Sequence, residues 1–396
     1  KYSASTDAIF AQKYGAYYKA DASTRQLYGD VMLNIDKYFG DFSLTGTVGV
    51  SIQDLDYQYY SVGGVLNSVA NSFTLKNLNQ SNAEFDQDGY HDQTQSIFAT
   101  AQLGWQSKLY LDVTGRIDWS SALAWTETKS VAYPSVGLSA ILTDLLPIRS
   151  DVLTFLKLRG SYSEVGNAPT RYIAYQTHPY QSGTPSTTST YPNSDIKPER
   201  TKAWKVGLQS RFWGDKLALN VSLYKTSTFN QLFNPSLPSS SGYSSIYING
   251  GQVDNKGIEA SLSLNQALGP VEWNSTLTYT INRNKIKKLL KPTTLKDGLL
   301  VEQDMLDLDG VGNVKTRLFE GGSVGDLYVT ALRTDEHGYI DVDYVNNTVS
   351  VDGNAGERGD GWIYAGNSQA KYTMGWRNSF SWKGLTLGFL INARVG

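Results

Sequence analysis

The chain has 396 residues, no cysteine and a formal net charge of −2. That balance argues against a broad nucleic-acid footprint, and the missing thiols remove disulfides, cysteine nucleophiles and Cys-type zinc sites. No apolar run reaches the roughly 18 residues a membrane helix needs, which leaves spans made of strands open. Aromatics make up 12% of residues, with 26 Tyr and 9 Trp, a composition that suits interfacial girdles and binding loops alike. The first residue is Lys1 and no leader is read, so a removed leader or a longer parent chain is expected.

Taken in chain order, a strand is read near residues 8–19. Alternating apolar and polar positions then predict a hairpin of residues 27–37 and 42–53 around a Tyr-Phe-Gly-Asp turn. A second hairpin pairs residues 96–105 with 108–118 around Gln106-Ser107, and a looser pair joins residues 134–142 to 155–163. A third hairpin turns at Gly214-Asp215. On its first strand Trp204, Val206, Leu208 and Phe212 share a face, opposite Lys205, Gly207, Gln209 and Arg211. On its second strand Leu217, Leu219, Val221 and Leu223 alternate with Ala218, Asn220, Ser222 and Tyr224. Further hairpins pair residues 255–266 with 271–283, around Ala-Leu-Gly-Pro, and residues 371–382 with 385–393, around Lys383-Gly384.

These hairpins supply about twelve strands, and two features decide which solvent meets their apolar faces. The strands run about 9–13 residues, where soluble strands average about 5–6 and a tilted membrane strand needs about 9–11. Connections alternate between tight turns and long links at residues 54–94, 119–133, 164–200, 226–254 and 284–370. Short turns on one side and long loops on the other is the plan of an outer-membrane barrel. The expected fold is all-β, a transmembrane antiparallel β-barrel, with aromatics near strand ends at Tyr38, Trp105, Trp204, Trp273, Trp376 and Trp382.

Seven segments then appear in order: GRIDWSSAL at 115–123, YPSVGLSAIL at 133–142, LKLRGSYSEVGN at 156–167, NSDIKPERTKAWKVGL at 193–208, NGGQVDNKGIEASL at 249–262, EGGSVGDLYVTAL at 320–332, and the closing stretch at 366–396. Together they resemble the SusC/RagA family of TonB-dependent outer-membrane transporters of Bacteroidetes-type bacteria. The resemblance implies a plugged barrel of about 22 strands, energised by TonB and covered by a SusD-like lipoprotein, with oligosaccharide or peptide as cargo. It leaves a dimer of transporter–lipoprotein pairs open. It implies that residues 1–396 are one portion of the barrel, with an N-terminal plug and final strands outside this sequence. A cell-surface glycan-binding or adhesive β-protein and a passive porin are the alternatives.

Two groups of residues are candidates for function. Arg116, Asp118, Lys157, Arg159, Arg211 and Glu259 fall on the polar side of their strands and are expected to face the lumen or plug, with Glu259 pairing a lumenal cation such as Arg211 or a plug residue. The alternative for each is a solvated wall charge. Tyr57, Tyr59, Tyr60, Tyr90, Tyr172, Tyr175, Tyr180, Tyr191, Tyr243 and Tyr247 lie in the long links among small polar residues and are candidates for stacking on substrate, with girdle or loop packing as the alternative. No catalytic, metal or cofactor residue is assigned. Gly321-Gly322-Ser323-Val324-Gly325 fits G-x-S-x-G, but an extended segment follows where the nucleophile elbow needs a helix. His91, His178 and His337 are scattered, and Asp304, Asp307 and Asp309 do not fit an EF-hand frame.

Overall fold

A computed structural model describes residues 1, 13–148, 150–181, 183–289, 293–294, 298, 300–301 and 305–396. Ten long strands come first: β1 (Ala16–Phe39), β2 (Phe42–Val65), β3 (Glu84–Trp105), β4 (Leu109–Ser120), β5 (Val131–Ile141), β6 (Leu153–Asn167), β7 (Glu199–Phe212), β8 (Leu217–Phe233), β9 (Ile248–Leu268) and β10 (Val271–Lys288). Four short ones follow: β11 (Met305–Val311), β12 (Val314–Phe319), β13 (Asp326–Thr330) and β14 (Trp362–Asn367). The chain closes with β15 (Tyr372–Trp382) and β16 (Leu385–Val395). A 12-stranded sheet runs in the order β1 to β10, then β15 and β16, so each long strand bonds to its neighbours along the chain. The strands β11 to β14 form a separate 4-stranded sheet between β10 and β15. No helix among the described residues is long and apolar enough to cross a membrane, which says nothing of crossing by strands.

All twelve predicted strands of the hairpins are present, and most are longer than alternation indicated. The strand read near residues 8–19 is not separate: Ala16–Lys19 open β1, and residues 8–12 lie outside the described residues. The link at residues 54–94 is corrected most, because β2 continues to Val65 and β3 begins at Glu84. Inter-strand hydrogen bonding needs only the backbone, so a ladder extends into segments whose side chains no longer alternate.

The chain divides into two compact units. One comprises Lys1–Met32, Gly49–Ile97 and Asp118–Ala122; the other comprises Leu33–Val48, Phe98–Ile117 and Leu123–Gly396. In the larger unit the hairpins close through left-handed turns. Gly214 has φ +63°, and at Lys383-Gly384 both residues are positive, +43° and +84°, the backbone twist that suits a tight antiparallel connection.

The register of the larger unit separates two faces. Directly paired residues share a face. One row reads Leu158, Leu208, Val221, Ala260, Tyr279, Met374 and Ala393; a neighbouring row reads Leu156, Ser210, Leu219, Leu262, Leu277, Trp376 and Ile391. The opposite face reads Lys157, Gln209, Asn220, Ser261, Thr278, Gly375 and Asn392. The apolar face is uncovered: Val206 is 54% exposed, Leu223 52% and Leu158 43%. Aromatics bound this band. At the short-turn end Trp273 stacks on Phe380 with ring centroids 6.0 Å apart, and at the long-loop end Tyr162 packs on Trp204 at 4.5 Å. The indole N–H groups are satisfied within the face, Trp273 Nε1 donating to Asn378 Oδ1 at 3.0 Å and Trp376 Nε1 to Ser275 Oγ at 3.0 Å. The smaller unit also exposes Leu27, Val31, Val50 and Ile97.

A buried core sits instead at the long-loop end, where Leu237, Ile246, Ile248, Val253, Ile286, Leu289, Leu306 and Leu318 cluster. It ties the tops of β8 to β10 to the 4-stranded sheet, helped by Gly321 N–H donating to Ile286 O at 2.8 Å and Ile286 N–H to Gly322 O at 2.9 Å.

Candidate functional site

The polar face is held by side chains that reach across strands. Arg159 on β6 pairs directly with Gly207 on β7, which pairs with Ser222 on β8. The guanidinium crosses Gly207 and donates from Nη2 to Ser222 Oγ at 3.1 Å and Asn220 Oδ1 at 3.4 Å. A Cβ at Gly207 would lie 2.4 Å from Arg159 Nε, so glycine is what opens this crossing. The motif repeats two strands on. Tyr224 crosses Gly257 and donates to Asn282 Oδ1 at 3.1 Å, and a Cβ at Gly257 would lie 2.4 Å from the phenol oxygen.

Glu259 is on this face, as its alternation requires, but its partner is Lys205, Nζ to Oε2 2.9 Å. The expected pairing with Arg211 is corrected: Arg211 lies 3.4 Å from Asp215 and 4.9 Å over the Phe155 ring. The reason is offset along the strands. Lys205 pairs with Tyr224 and Glu259 with Ser222, one same-face position apart, whereas Arg211 pairs with Ala218, two same-face positions away on the other side. Lys157, Arg159 and Lys205 line one depression of about 370 Å³ with Asp112, Ser139 and Ser161. Asp112 accepts from Gln102 Nε2 at 2.6 Å. The depression therefore holds three cations and one carboxylate, a surface suited to anionic or strongly polar groups. Arg116 lies 5.8 Å over the Phe98 ring, and Asp118 alternates with exposed Ile117 and Trp119 on β4.

The ten tyrosines do not form one site. Tyr57, Tyr59 and Tyr60 lie on β2 and Tyr90 on β3, so their expected loop placement is corrected. Tyr57 stacks on Tyr90 at 5.0 Å; adjacent Tyr59 and Tyr60 point to opposite sides of the strand. Tyr175 stacks at 4.6 Å on Trp125, an aromatic the sequence reading did not select although it lies in the long link after β4. Tyr191 and Tyr243 meet edge to face at 5.2 Å against the buried core, and the Tyr247 carbonyl accepts from Asn193 Nδ2 at 2.9 Å. Tyr172 and Tyr180 are exposed.

The 4-stranded sheet holds a charged cluster that sequence reading missed. Arg317 is buried and lies with Nη1 2.6 Å from Asp360 Oδ2 and Nε 3.0 Å from Asp307 Oδ1, the latter off the N–H direction. Its guanidinium is 5.3 Å from the Trp362 ring, and Lys315 Nζ is 3.8 Å over the same ring while ion-paired to Asp307. Burial pushes the Asp360 carboxyl up, but the Arg317 hydrogen bond, the Trp362 N–H and the Arg317 charge outweigh it and hold the group below its ordinary value. Asp307 is thus an ion-pair partner, while Asp304 and the side chain of Asp309 lie outside the described residues. Ser323 donates to Asn284 Oδ1 at 2.7 Å and accepts from Asn367 Nδ2 at 2.9 Å; β13 follows it, so this G-x-S-x-G is a loop brace. No group of three or more metal-ligating side chains occurs among the described residues.

Residues 1–392 match the family described as TonB dependent receptor-like, beta-barrel. TonB-dependent receptor P3 of Formosa agariphila is 26% identical over 395 residues, covering 92% of this chain and 38% of that protein. TonB-dependent receptor P26 of the same organism is 26% identical over 355 residues, covering 83% of this chain and 34% of that protein. Among solved structures, the RagAB peptide importer in its closed-closed state superposes with a TM-score of 0.72 at 20% identity, over 96% of this chain and 42% of that one. The outer-membrane transporter YddB from Escherichia coli gives 0.54 at 10% identity, over 95% and 43%. The chain thus spans well under half the length of these relatives, and the structural likenesses establish the fold.

Proposed function

This chain belongs to the TonB-dependent receptor-like, beta-barrel family of the outer membrane, a family of receptors and transporters rather than enzymes, and we propose from that premise that the whole protein is a SusC-like active importer. Its strands form barrel wall: the apolar rows meet lipid, and Arg116, Asp118, Lys157, Arg159, Arg211 and Glu259 line the lumen or meet a plug. The observation that carries this reading is the register, which sets an uncovered apolar band bounded by aromatics back to back with a polar face. Energy arrives through TonB, and a SusD-like lipoprotein covers the long-loop end. The cargo is peptide or oligosaccharide. The fold likeness to a peptide importer favours peptide, while the stacked pairs Trp125–Tyr175 and Tyr57–Tyr90 suit either.

Uptake by the full-length protein in cells tests this, with labelled peptides and oligosaccharides supplied in the presence and absence of TonB. Uptake of one class that disappears without TonB is the expected result. Equal uptake in both strains would replace the importer with a passive porin. No uptake, with tight retention of glycan at the cell surface, would favour an adhesive protein.

A further inference from the structure

On the apolar face the band gives way to charge within one row. The row Gly160, Val206, Leu223, Ile258 and Ile281 carries no polar side chain. The next row towards the long-loop end reads Tyr162, Trp204, Lys225, Lys256 and Arg283, and the one beyond reads Glu164, Lys202, Ser227, Asp254 and Lys285. These two rows hold five cations and two carboxylates. Glu164 is 3.6 Å from Lys202, and Asp254 is 3.6 Å from Lys225. Among the described residues no carboxylate lies within ion-pair distance of Lys256, Arg283 or Lys285.

Lys225, Lys256 and Arg283 are directly opposite one another on three adjacent strands, all exposed. Neighbouring strands are about 4.8 Å apart, and like charges placed so are destabilising unless something anionic compensates. They cannot turn to the other face, because a strand residue presents its side chain on one side of the sheet only; the flanking rows there are Tyr224, Gly257 and Asn282, and Thr226, Asn255 and Asn284. Arg283 is further fixed by Nη1 donating to Lys371 O at 2.7 Å and Asn282 O at 3.0 Å.

We propose that Lys225, Lys256 and Arg283, backed by Lys202 and Lys285, form a docking surface for the phosphate-bearing headgroups of lipids in the leaflet at the long-loop end. An occupant with both acyl chains and phosphate satisfies two adjoining surfaces at once: chains against Val206, Leu223, Ile258 and Ile281, phosphate against the cations. Free phosphate would leave the apolar row bare. Trp204 and Tyr162, in the same row as the cations, mark the depth as that of the headgroups.

The test uses the full-length protein in detergent, titrated with short-chain phosphatidic acid, the matching diacylglycerol, and inorganic phosphate. Affinity for phosphatidic acid is expected to fall about fivefold per cation removed, so about a hundredfold in Lys225→Gln/Lys256→Gln/Arg283→Gln. Lys256→Arg should keep it, and Lys216→Gln/Lys383→Gln at the short-turn end should not change it. Heat-modifiable migration on gels verifies that each variant folds, and Lys256→Gln alone gives the same reading if the triple variant does not. Unchanged phosphatidic acid binding in a folded variant overturns the proposal, as does full competition by inorganic phosphate or equal binding of diacylglycerol. Loss of a copurifying surface lipoprotein with lipid binding intact would overturn it in favour of a protein interface.

Discussion

Placing an arginine at Val221 and at its neighbour Asn220 separates the two faces in one experiment. Val221 lies in the central row with Leu158, Leu208, Ala260, Tyr279 and Met374. It is four residues from Lys225 and four from Leu217, about 13 Å along the strand at about 3.3 Å per residue, too far for an arginine to lift its charge clear of the band. A cation on the lipid side at mid-depth costs about 2–4 kcal/mol, about 30- to 900-fold in the folded fraction. Asn220 is on the polar face, 3.4 Å from Arg159 Nη2, so a second guanidinium there meets repulsion of about 1 kcal/mol in a watery surrounding. The margin is therefore at least about 1 kcal/mol, with Val221→Arg the worse. The assay is the heat-resistant folded fraction of the full-length protein in the outer-membrane fraction, followed by guanidinium titration in lipid vesicles. Equal loss from both, or greater loss from Asn220→Arg, would mean the apolar rows do not face lipid.

Gly207→Ala should lower stability by about 1–3 kcal/mol, because its Cβ displaces Arg159, and adding Arg159→Ala should recover part of that loss in a double-mutant cycle. Lys205→Ala and Glu259→Ala should couple by no more than about 1 kcal/mol and less in high salt, since both side chains are more than a third exposed; denaturant midpoints at two ionic strengths measure this. Asp360 titrates below its ordinary value when folded, so its contribution to the 4-stranded sheet is complete above its unfolded value of about 3.9 and is lost as pH falls through the lower folded one. Trp362 fluorescence should report that acid transition in the native protein, and Asp360→Asn should remove the step; an unaltered profile would place the titration elsewhere.

Face assignment was legible in the sequence because it needs only parity: Lys157, Arg159, Arg211 and Glu259 alternate with Leu158, Phe212 and Ile258 whatever the strands pair with. Partner choice was not, because Lys205 and Glu259 meet only through the register of an intervening strand, β8. Strand ends were lost for a different reason. Residues 54–60 read Asp-Leu-Asp-Tyr-Gln-Tyr-Tyr, where both sides of the strand carry polar or aromatic groups, so alternation fades while the backbone ladder of β2 continues. Most of the 4-stranded sheet escaped because β12 to β14 are only five or six residues long; only the extended run after Gly325, which is β13, was legible, and a long link at residues 331–361 separates it from β14.

The two glycine crossings bear on how such a wall resists its own lumen. A polar face with water on it could leave each side chain free, since hydrogen bonds to solvent compete with those between strands. Here Arg159 spans β6 to β8 and Tyr224 spans β8 to β10, each lying flat over a glycine of the strand between. Lys205 to Glu259 links β7 to β9. Successive links are offset by one strand, so shear between neighbouring strands from β6 to β10 must break a side-chain contact as well as the ladder. Residues read as lumen-facing thus brace the wall, and their loss should register in stability before it registers in transport. A substitution at Arg159 that abolished uptake while leaving the denaturant midpoint untouched would reverse that order and assign the residue to cargo or plug.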